Sequence, residues 1–159
     1  MDYLWSPWRY QYVTTARAES KCIFCEYARS TNDRENLVVY RAKHNFILLN
    51  RFPYTTGHVM IAPYEHVDSL EAPSPETLEE LMLLARETQR RLREIYQPSG
   101  LNLGMNLGES AGAGIADHIH MHVLPRWAGD TSFMTTVSET RVLPEDLGET
   151  WRKLHQAFL

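Results

Sequence analysis

The sequence predicts an α+β fold with about five strands and two main helices. Short runs rich in apolar, β-branched and aromatic residues occur at 37–42, 45–50 and 57–63, a composition typical of strands. One long apolar stripe at helical spacing lies between Ser74 and Pro98. Two later segments, within 101–108 and 118–126, alternate between apolar side chains and small, polar or histidine side chains. A repeat of two residues is the period of a strand.

Length and composition indicate one compact domain. A chain of 159 residues that is 43% apolar can form a core. We divide it into an aromatic arm at 1–20, a core at 21–134 and a C-terminal extension with a helix at 135–159. The net charge of −4 argues against general nucleic-acid binding. No apolar run approaches the ~18 residues of a membrane span, and no signal peptide is visible, so we expect no membrane contact.

The N-terminal segments offer two weak signals. The arm is predicted to pack on the domain or on a partner subunit, or alternatively to stack on a base; its aromatic residues are Tyr3, Trp5, Trp8, Tyr10 and Tyr12. Cys22 and Cys25 follow at CxxC spacing, which fits either free thiols or half of a tetrahedral zinc site. Cysteine usage of this kind indicates a reducing cytoplasm rather than a disulfide scaffold.

The central elements follow from local signals. The first three runs should pair antiparallel, because the links between them are short. Ser74 can cap the long helix, Pro75 suits its first position, and Pro98 stops it. The stripe of this helix should cover one face of the sheet. A second apolar stripe within 144–158 predicts the C-terminal helix.

The strand within 101–108 has two different faces. Leucines and a methionine occupy one face, which we expect to meet the long helix. Small and polar residues, Asn102, Gly104, Asn106 and Gly108, occupy the other face and leave room for a ligand. We expect this second face to be the one that carries histidines on the neighbouring strand.

Three histidines alternate with apolar residues in the last predicted strand, at His118, His120 and His122. On a strand, all three imidazoles lie on one face, where they are costly to bury without partners. Three interpretations are open. The strand could be a solvated histidine-rich surface, an HxH metal site that needs a third ligand, or a nucleophilic histidine with two assisting histidines.

The link before the histidines is rich in glycine. Ser110, Gly112 and Gly114 belong to a segment that is either a flexible turn or a phosphate cradle. Glycines favour a cradle because they let backbone N–H groups approach an anion. The position directly before the three histidines supports the cradle.

The segment HIHMHVL at 118–124 resembles the signature of the histidine-triad superfamily, His-x-His-x-His-x-x with every x apolar. ILLNRFPYTTGHVMIAPYEH at 47–66 resembles two strands of that family, and LGMNLGESAG at 103–112 resembles its pre-triad strand and turn. AGAGIADHIHMHVLPRWAGD at 111–130 is most similar to the bacterial diadenosine tetraphosphate phosphorylase-like group. The resemblance spans roughly residues 20–134 and implies a five-stranded antiparallel sheet and a homodimer.

The resemblance also implies residue roles. His120 would be the nucleophile that attacks an α-phosphorus, and His122 would donate to a non-bridging phosphate oxygen. Asn50 would contact ribose, and Asn106 would contribute its side-chain amide to nucleotide binding. The remaining residues of the predicted nucleotide-binding set are Ser110, Gly112, Gly114 and Trp127.

One stretch departs from the pattern of the hydrolytic members. These commonly carry Gln-Ser or Gln-Thr shortly before the triad, whereas residues 112–117 here contain no hydroxyl. Ser110 or a backbone N–H would have to assist the leaving group instead. The altered turn and Trp127 resemble the phosphorylase-like group, in which inorganic phosphate rather than water takes the nucleotidyl group.

Zinc-bearing members of the family use the CxxC pair, the histidine of a Pro-x-x-His segment and the first histidine of the triad. The matching residues are Cys22, Cys25, His66 and His118. Four protein ligands leave no open position, so the implied zinc is structural and no catalytic metal is expected. His118 would then be a ligand rather than a catalytic relay partner of His120.

The first functional hypothesis is therefore nucleotidyl transfer from a dinucleoside polyphosphate to inorganic phosphate through a nucleotidyl-His120 intermediate. Hydrolysis of the same bond or of nucleoside phosphoramidates is the enzymatic alternative. A non-catalytic nucleotide-binding module and a metal-centred hydrolase using His118 and His120 also remain open. The expected partners are a small nucleotide, inorganic phosphate and a second copy of the chain.

Overall fold

The computed structural model describes residues 22–131 and 143–159, so the aromatic arm predicted at 1–20 lies outside the described residues. The elements are α1 (Ile23–Arg29), β1 (Val38–Arg41), β2 (Asn45–Leu49), β3 (Val59–Pro63), α2 (Pro75–Tyr96), β4 (Gly100–Met105), a 3₁₀ turn (Glu109–Ala111), β5 (Met121–Arg126) and α3 (Leu147–Phe158). The five strands form one antiparallel sheet in the order β1-β2-β3-β5-β4. The predicted α+β fold is confirmed.

Helix α2 covers one face of the sheet, which we call the helix face. The hydroxyl of Ser74 accepts a hydrogen bond from the Thr77 amide at 3.2 Å, and Gln97 ends the helix in the left-handed conformation. Each fully buried aliphatic side chain on this face contributes about 1.5–3 kcal/mol. The buried cluster contains Val39, Ile47, Leu49, Val59, Ile61, Leu81, Leu84, Ala85, Leu92, Val123 and Leu154.

Helix α3 joins the same core. Asp146 caps it, because its carboxylate accepts from the Glu149 amide at 3.0 Å. Leu154 is fully buried on the helix face, and the indole N–H of Trp151 donates to the Val38 carbonyl at 2.8 Å. No helix among the described residues combines the length and apolarity needed to cross a membrane.

The opposite side of the sheet, which we call the α1 face, carries a smaller apolar cluster. It consists of Phe24, Val38, Phe46, Leu48, Met60 and Ala62. Phe24 comes from the short helix α1, so α1 is the cover of this face. The sheet therefore separates a large core under α2 from a second layer in which α1 supplies the central aromatic ring.

Two expectations need correction. Leu101 packs against the helix-face cluster, but Leu103 is 43% exposed. Both residues lie on β4 at the sheet edge, and the helix-face core reaches Leu101 but ends before Leu103. The strand predicted within 118–126 begins only at Met121, because the preceding Ile119 amide donates to the Val67 carbonyl at 2.8 Å instead of to a neighbouring strand.

Candidate active site and metal cluster

The triad histidines come together on the α1 face where the chain enters β5. His122 lies opposite Met60 of β3 and Gly104 of β4, and the rings of His120 and His122 have centroids 4.9 Å apart. His118 is 0% and His120 5% exposed. A Cβ built at Gly104 would meet no atom of the described residues within 4 Å. The space beside His122 is therefore open to a ligand.

The ring of His120 is held in one tautomer. Its Nδ1 lies 2.9 Å from the carbonyl oxygen of His118. A carbonyl can only accept, so Nδ1 carries the proton and Nε2 keeps its lone pair. Burial lowers the pKa of His120 below its ordinary value, so the ring is neutral near pH 7. A neutral imidazole with a free Nε2 is a competent nucleophile.

The ring of His122 is held in the opposite tautomer by His58. The backbone N–H of Tyr54 donates to Nδ1 of His58 at 3.1 Å, so this nitrogen carries no proton. The proton of His58 is therefore on Nε2, which lies 2.8 Å from Nδ1 of His122 and donates to it. His122 consequently keeps its own proton on Nε2 and can offer it as a donor.

Burial also controls the charge of His122. Burial, together with the nearby His120, lowers the pKa of His122 to about 4. At neutral pH the third histidine is therefore an uncharged N–H donor rather than an imidazolium. Such a donor stabilises charge that develops on a phosphate oxygen without repelling neutral His120.

We expect the stability of the fold to decrease as the pH falls from about 6.5 towards 4. His122 has a pKa of about 4 when folded against an ordinary value of 6.5, so the unfolded chain binds more protons in this window. The contribution is fully present above pH 6.5 and is lost below it. Urea unfolding at pH 7 and pH 5 should show wild type losing about 1–2 kcal/mol more than His122→Asn, a range reduced for partial exposure. Equal losses in both proteins would contradict the argument.

Four potential metal ligands converge beside the triad. The ligand atoms of Cys22, Cys25, His66 and His118 all lie within 4.8 Å of one another. Nδ1 of His118 is 3.3 Å from Sγ of Cys22, 3.7 Å from Sγ of Cys25 and 3.3 Å from Nδ1 of His66. The edges of a tetrahedron around zinc measure about 3.3–3.8 Å for such ligands. The spacing of the cluster therefore fits a four-coordinate ion.

The protonation states of the cluster fit a cation as well. Nε2 of His118 donates to the carbonyl of Pro63 at 2.9 Å, which leaves Nδ1 unprotonated and facing the cysteines. Burial raises the pKa of the Cys22 thiol; the backbone N–H of Cys25 opposes this rise, whereas the Cys25 side chain adds to it. A bound cation would reverse that effect by stabilising both thiolates. These residues could hold a metal ion with no further ligand.

Comparison with known proteins agrees with this geometry. Residues 31–129 match the family model of the HIT domain. The chain belongs to the HIT domain family. This HIT domain is 38% identical over 159 residues to an AP-4-A phosphorylase of Mycobacterium tuberculosis, covering 95% of this chain and 81% of that protein. It is 32% identical over 95 residues to an asymmetrical bis(5'-nucleosyl)-tetraphosphatase of Schizosaccharomyces pombe, covering 60% of this chain and 52% of that protein.

Solved structures share the fold of this HIT domain. A Zn-bound histidine triad family protein from Mycobacterium smegmatis aligns with a TM-score of 0.68 and 28% identity, over 90% of this chain and 94% of that chain. A hypothetical histidine triad nucleotide-binding protein from Sulfolobus tokodaii aligns with a TM-score of 0.67 and 25% identity, over 86% and 91% of the two chains. The resemblance to the histidine-triad superfamily is confirmed.

The residues of the HIT domain that were predicted to contact a nucleotide include three that follow the ends of strands. Asn50 follows β2 and forms a turn in which its side-chain oxygen accepts from the Phe52 amide at 2.9 Å. Asn106 follows β4, and its amide donates to the Gly112 carbonyl at 3.4 Å. Trp127 follows β5 at the opposite end from His118 and meets Tyr96 edge-on, with centroids 6.4 Å apart.

The glycine-rich link of the HIT domain is partly closed on itself. The amides of Ala111 and Gly112 donate to Gly108 and Glu109 at 3.2 and 2.9 Å, and the Ala113 amide donates to Gly108 at 3.3 Å. These three N–H groups are therefore not directed at a ligand in this conformation. Gly108 and Gly112 have φ values of 82° and 89°, which explains why glycine occupies both ends of the 3₁₀ turn.

His58 contacts the triad but was not among the site residues predicted from the sequence. It is 1% exposed and sits between the Tyr54 amide and His122. A signal was available, since a lone histidine follows Gly57 immediately before the apolar run of β3. Its partner was not visible, because 64 residues separate His58 from His122.

Proposed function

We propose that this HIT domain transfers a nucleotidyl group from a dinucleoside polyphosphate to inorganic phosphate through a covalent intermediate on His120. The main observation in support is that the adjacent rings of His120 and His122 are held in opposite tautomers. Nδ1 of His120 is bound to a carbonyl, so Nε2 is free to attack, whereas Nδ1 of His122 accepts from His58, so Nε2 of His122 donates. Similarity to the AP-4-A phosphorylase of M. tuberculosis supports the choice of substrate and acceptor.

The first step would form the intermediate. The Nε2 lone pair of His120 attacks the α-phosphorus, a P–N bond forms, and the P–O bond to the bridging oxygen breaks with its electron pair on that oxygen. With diadenosine tetraphosphate the leaving group is ATP, and the adenylyl group remains on His120. The ring becomes positively charged, which strengthens the Nδ1–H hydrogen bond to the His118 carbonyl. The N–H of His122 would donate to a non-bridging oxygen throughout.

The second step would release the product. An oxygen of inorganic phosphate attacks the same phosphorus, and the P–N bond breaks with its electron pair on Nε2. ADP leaves and His120 returns to its neutral state. Because the charged ring is a good leaving group, one displacement is divided into two easier ones.

We also propose that the ion at Cys22, Cys25, His66 and His118 is zinc with a structural role. The four-ligand spacing supports this choice, and the M. smegmatis relative of similar fold is Zn-bound. When bound, such an ion would cross-link the N-terminal end of α1 to the loop after β3 and to the triad. No step of the reaction above requires it.

A product assay tests the proposed reaction. Diadenosine tetraphosphate is incubated with the protein, with and without inorganic phosphate, and the nucleotides are separated by anion exchange. We expect ADP and ATP only when phosphate is present. AMP and ATP formed without phosphate would instead support a hydrolase, the alternative favoured by the similarity to the S. pombe tetraphosphatase. Bound nucleotide without turnover in either condition would leave the binding module as the better hypothesis.

Replacing His58 by leucine should reduce kcat by about 10–100-fold while KM changes little. Without the donor at Nδ1, His122 is free to adopt the other tautomer and lose its phosphate-directed proton. His58→Gln is the matched control, because its amide N–H can still donate and should restore part of the activity. Steady-state kinetics are measured on both variants, and equal activity in wild type and His58→Leu would contradict the role of His58 in fixing the tautomer of His122.

We propose a homodimer that forms through β4. This strand is at the sheet edge, and Leu103 on it is 43% exposed; an exposed apolar edge strand is suited to pairing with a second copy. We expect Leu103→Glu to shift the mass measured by light scattering from dimer to monomer. Leu70→Glu, a comparably exposed leucine in a loop, should stay dimeric. A monomeric wild type would refute the dimer.

We propose further that the chain acts as one domain in the cytoplasm. Helix α3 shares the helix-face core with α2 through Leu154, which supports one cooperative unit. Cys22 and Cys25 are free thiols, and thiols that serve as ligands suit a reducing compartment.

A further inference from the structure

We infer that Phe24 is a positioning residue for His120, so that the metal cluster and the catalytic histidine form one structural unit. This inference rests on the proposed role of His120. Phe24 lies between the two cysteines of the CxxC segment and is 1% exposed. Its ring centroid is 4.8 Å from that of His120 and 5.1 Å from that of His118. One aromatic ring therefore contacts a cluster histidine and the proposed nucleophile together.

The contact acts together with a hydrogen bond and a second ring contact on His120. The His118 carbonyl binds Nδ1, and the ring of His122 lies edge-on at 72°. A single hydrogen bond leaves the ring free to tilt about that bond, whereas Phe24 packs against it at an interplanar angle of 38°. Phe24 therefore supplies the packing that limits the direction of the Nε2 lone pair.

The position of Phe24 depends in turn on the metal cluster. Helix α1 has only seven residues, Ile23–Arg29, and its N-cap residue Cys22 makes no side-chain capping bond within the described part of the chain. A helix this short is not stable by itself. Arg41 holds its C-terminal end by donating to the Tyr27 and Ser30 carbonyls at 2.7 and 2.8 Å. At its N-terminal end, the side chains of Cys22 and Cys25 contact the cluster histidines, at 3.3 Å from Cys22 to His118 and 3.3 Å from Cys25 to His66.

A second connection runs through the backbone. The ring of His118 faces the cysteines through Nδ1, and the carbonyl of the same residue binds Nδ1 of His120. The packing contact on His120 therefore comes from Phe24, which lies between Cys22 and Cys25 in the sequence. The hydrogen bond comes from His118, which is itself a residue of the cluster. Binding of an ion would tighten both constraints at once.

The test compares Phe24→Leu with Phe46→Leu. Phe46 is also fully buried in the α1-face cluster, but it stacks on Tyr64 at 5.3 Å. The two substitutions remove similar packing, and only one of them removes the ring beside His120. Three quantities are measured on the zinc-loaded proteins: kcat and KM, the melting temperature, and NMR relaxation dispersion of the His120 ring, which detects motion on the microsecond to millisecond scale.

We expect both variants to melt at a lower temperature, because both lose buried aromatic packing. Only Phe24→Leu should show exchange broadening at His120, together with a kcat about 10–100-fold lower at nearly unchanged KM, since small misplacements of a reacting atom are costly. A rigid His120 ring and a kcat within about twofold of wild type in Phe24→Leu would overturn the inference. Equal broadening in Phe46→Leu would show a general packing effect and would overturn it as well.

Removal of the ion tests the link to the cluster. Wild-type protein stripped with EDTA should show His120 broadening, and addition of zinc chloride should abolish it. A His120 ring that stays rigid after stripping would refute the link. The NMR measurements need no turnover, so a wild type that is inactive on dinucleotides would refute the proposed function and still leave the role of Phe24 decided.

Discussion

Replacing His120 by alanine will reduce kcat for nucleotidyl transfer by about 10⁴–10⁶-fold, the largest effect expected for any side chain of this protein. The substitution removes the nitrogen that forms the P–N bond in the proposed mechanism, and neither neighbouring histidine can replace it. His118 directs Nδ1 towards the cysteines and donates through Nε2 to the Pro63 carbonyl. His122 carries a proton on its ligand-directed Nε2. Only His120 combines a free Nε2 with a position between the other two.

The measurement has two parts. Turnover of diadenosine tetraphosphate is followed with phosphate present, and labelled substrate is added without phosphate to trap the intermediate. Wild type should retain about one acid-labile nucleotidyl group per active site, as expected for a phosphoramidate on a histidine. His120→Ala should retain none. Label that persists in the variant would show that another residue is the nucleophile.

His122→Ala is the matched control for this experiment. It removes an N–H donor rather than the nucleophile, so kcat should fall by only about 10²–10³-fold and the label on His120 should still form. Metal content adds a second control. His120 is not among the four residues of the cluster, so the ion should be retained in His120→Ala. Loss of the ion along with activity would favour a metal-centred hydrolase and contradict the covalent mechanism.

Much of the fold follows from local sequence. The apolar runs of β1 to β3 and the stripe of α2 lie almost where the periodicity indicates, because each element buries its own apolar face. The expectation that the small-residue face of β4 meets the histidine face is confirmed by the pairing of Gly104 with His122. The alternation of each strand was enough for this prediction, because directly paired residues of neighbouring strands lie on the same side of a sheet.

The parts that escaped prediction depend on distant contacts. Leu103 has the same alternation as Leu101, but on this edge strand the helix-face core reaches Leu101 and ends before Leu103. The hydrogen bond between His58 and His122 joins residues that are 64 positions apart in the sequence. In the sequence, Phe24 is an ordinary apolar residue between two cysteines. Only in the folded chain does its ring centroid lie 4.8 Å from that of His120. The four cluster residues were found through family resemblance, because CxxC spacing alone does not identify the two histidines.

Replacing Cys25 by serine will abolish binding of the proposed structural ion and lower the melting temperature by about 6–12 °C. Cys25 contacts both histidines of the cluster, with Sγ 3.3 Å from Nδ1 of His66 and 3.7 Å from Nδ1 of His118. A hydroxyl is a poor zinc ligand, so only three effective ligands remain. Binding energy at a structural site is folding energy, and a loss of about 3 kcal/mol corresponds to this shift for a domain of this size.

The double variant Cys22→Ser/Cys25→Ser tests whether the two thiols act as one site. If each contributed independently, the melting temperature of the double variant would lie below that of wild type by the sum of the two single effects. Because loss of one ligand already releases the ion, we expect the double variant to melt close to Cys25→Ser.

Mass spectrometry of the metal and thermal melts with and without EDTA complete the comparison. EDTA should lower the melting temperature of wild type to near that of Cys25→Ser and leave the variant unchanged, because chelation and substitution remove the same cross-link between α1, the loop after β3 and the triad. A wild type that melts at the same temperature with its ion removed would contradict the structural role and leave the cluster without a stabilising function.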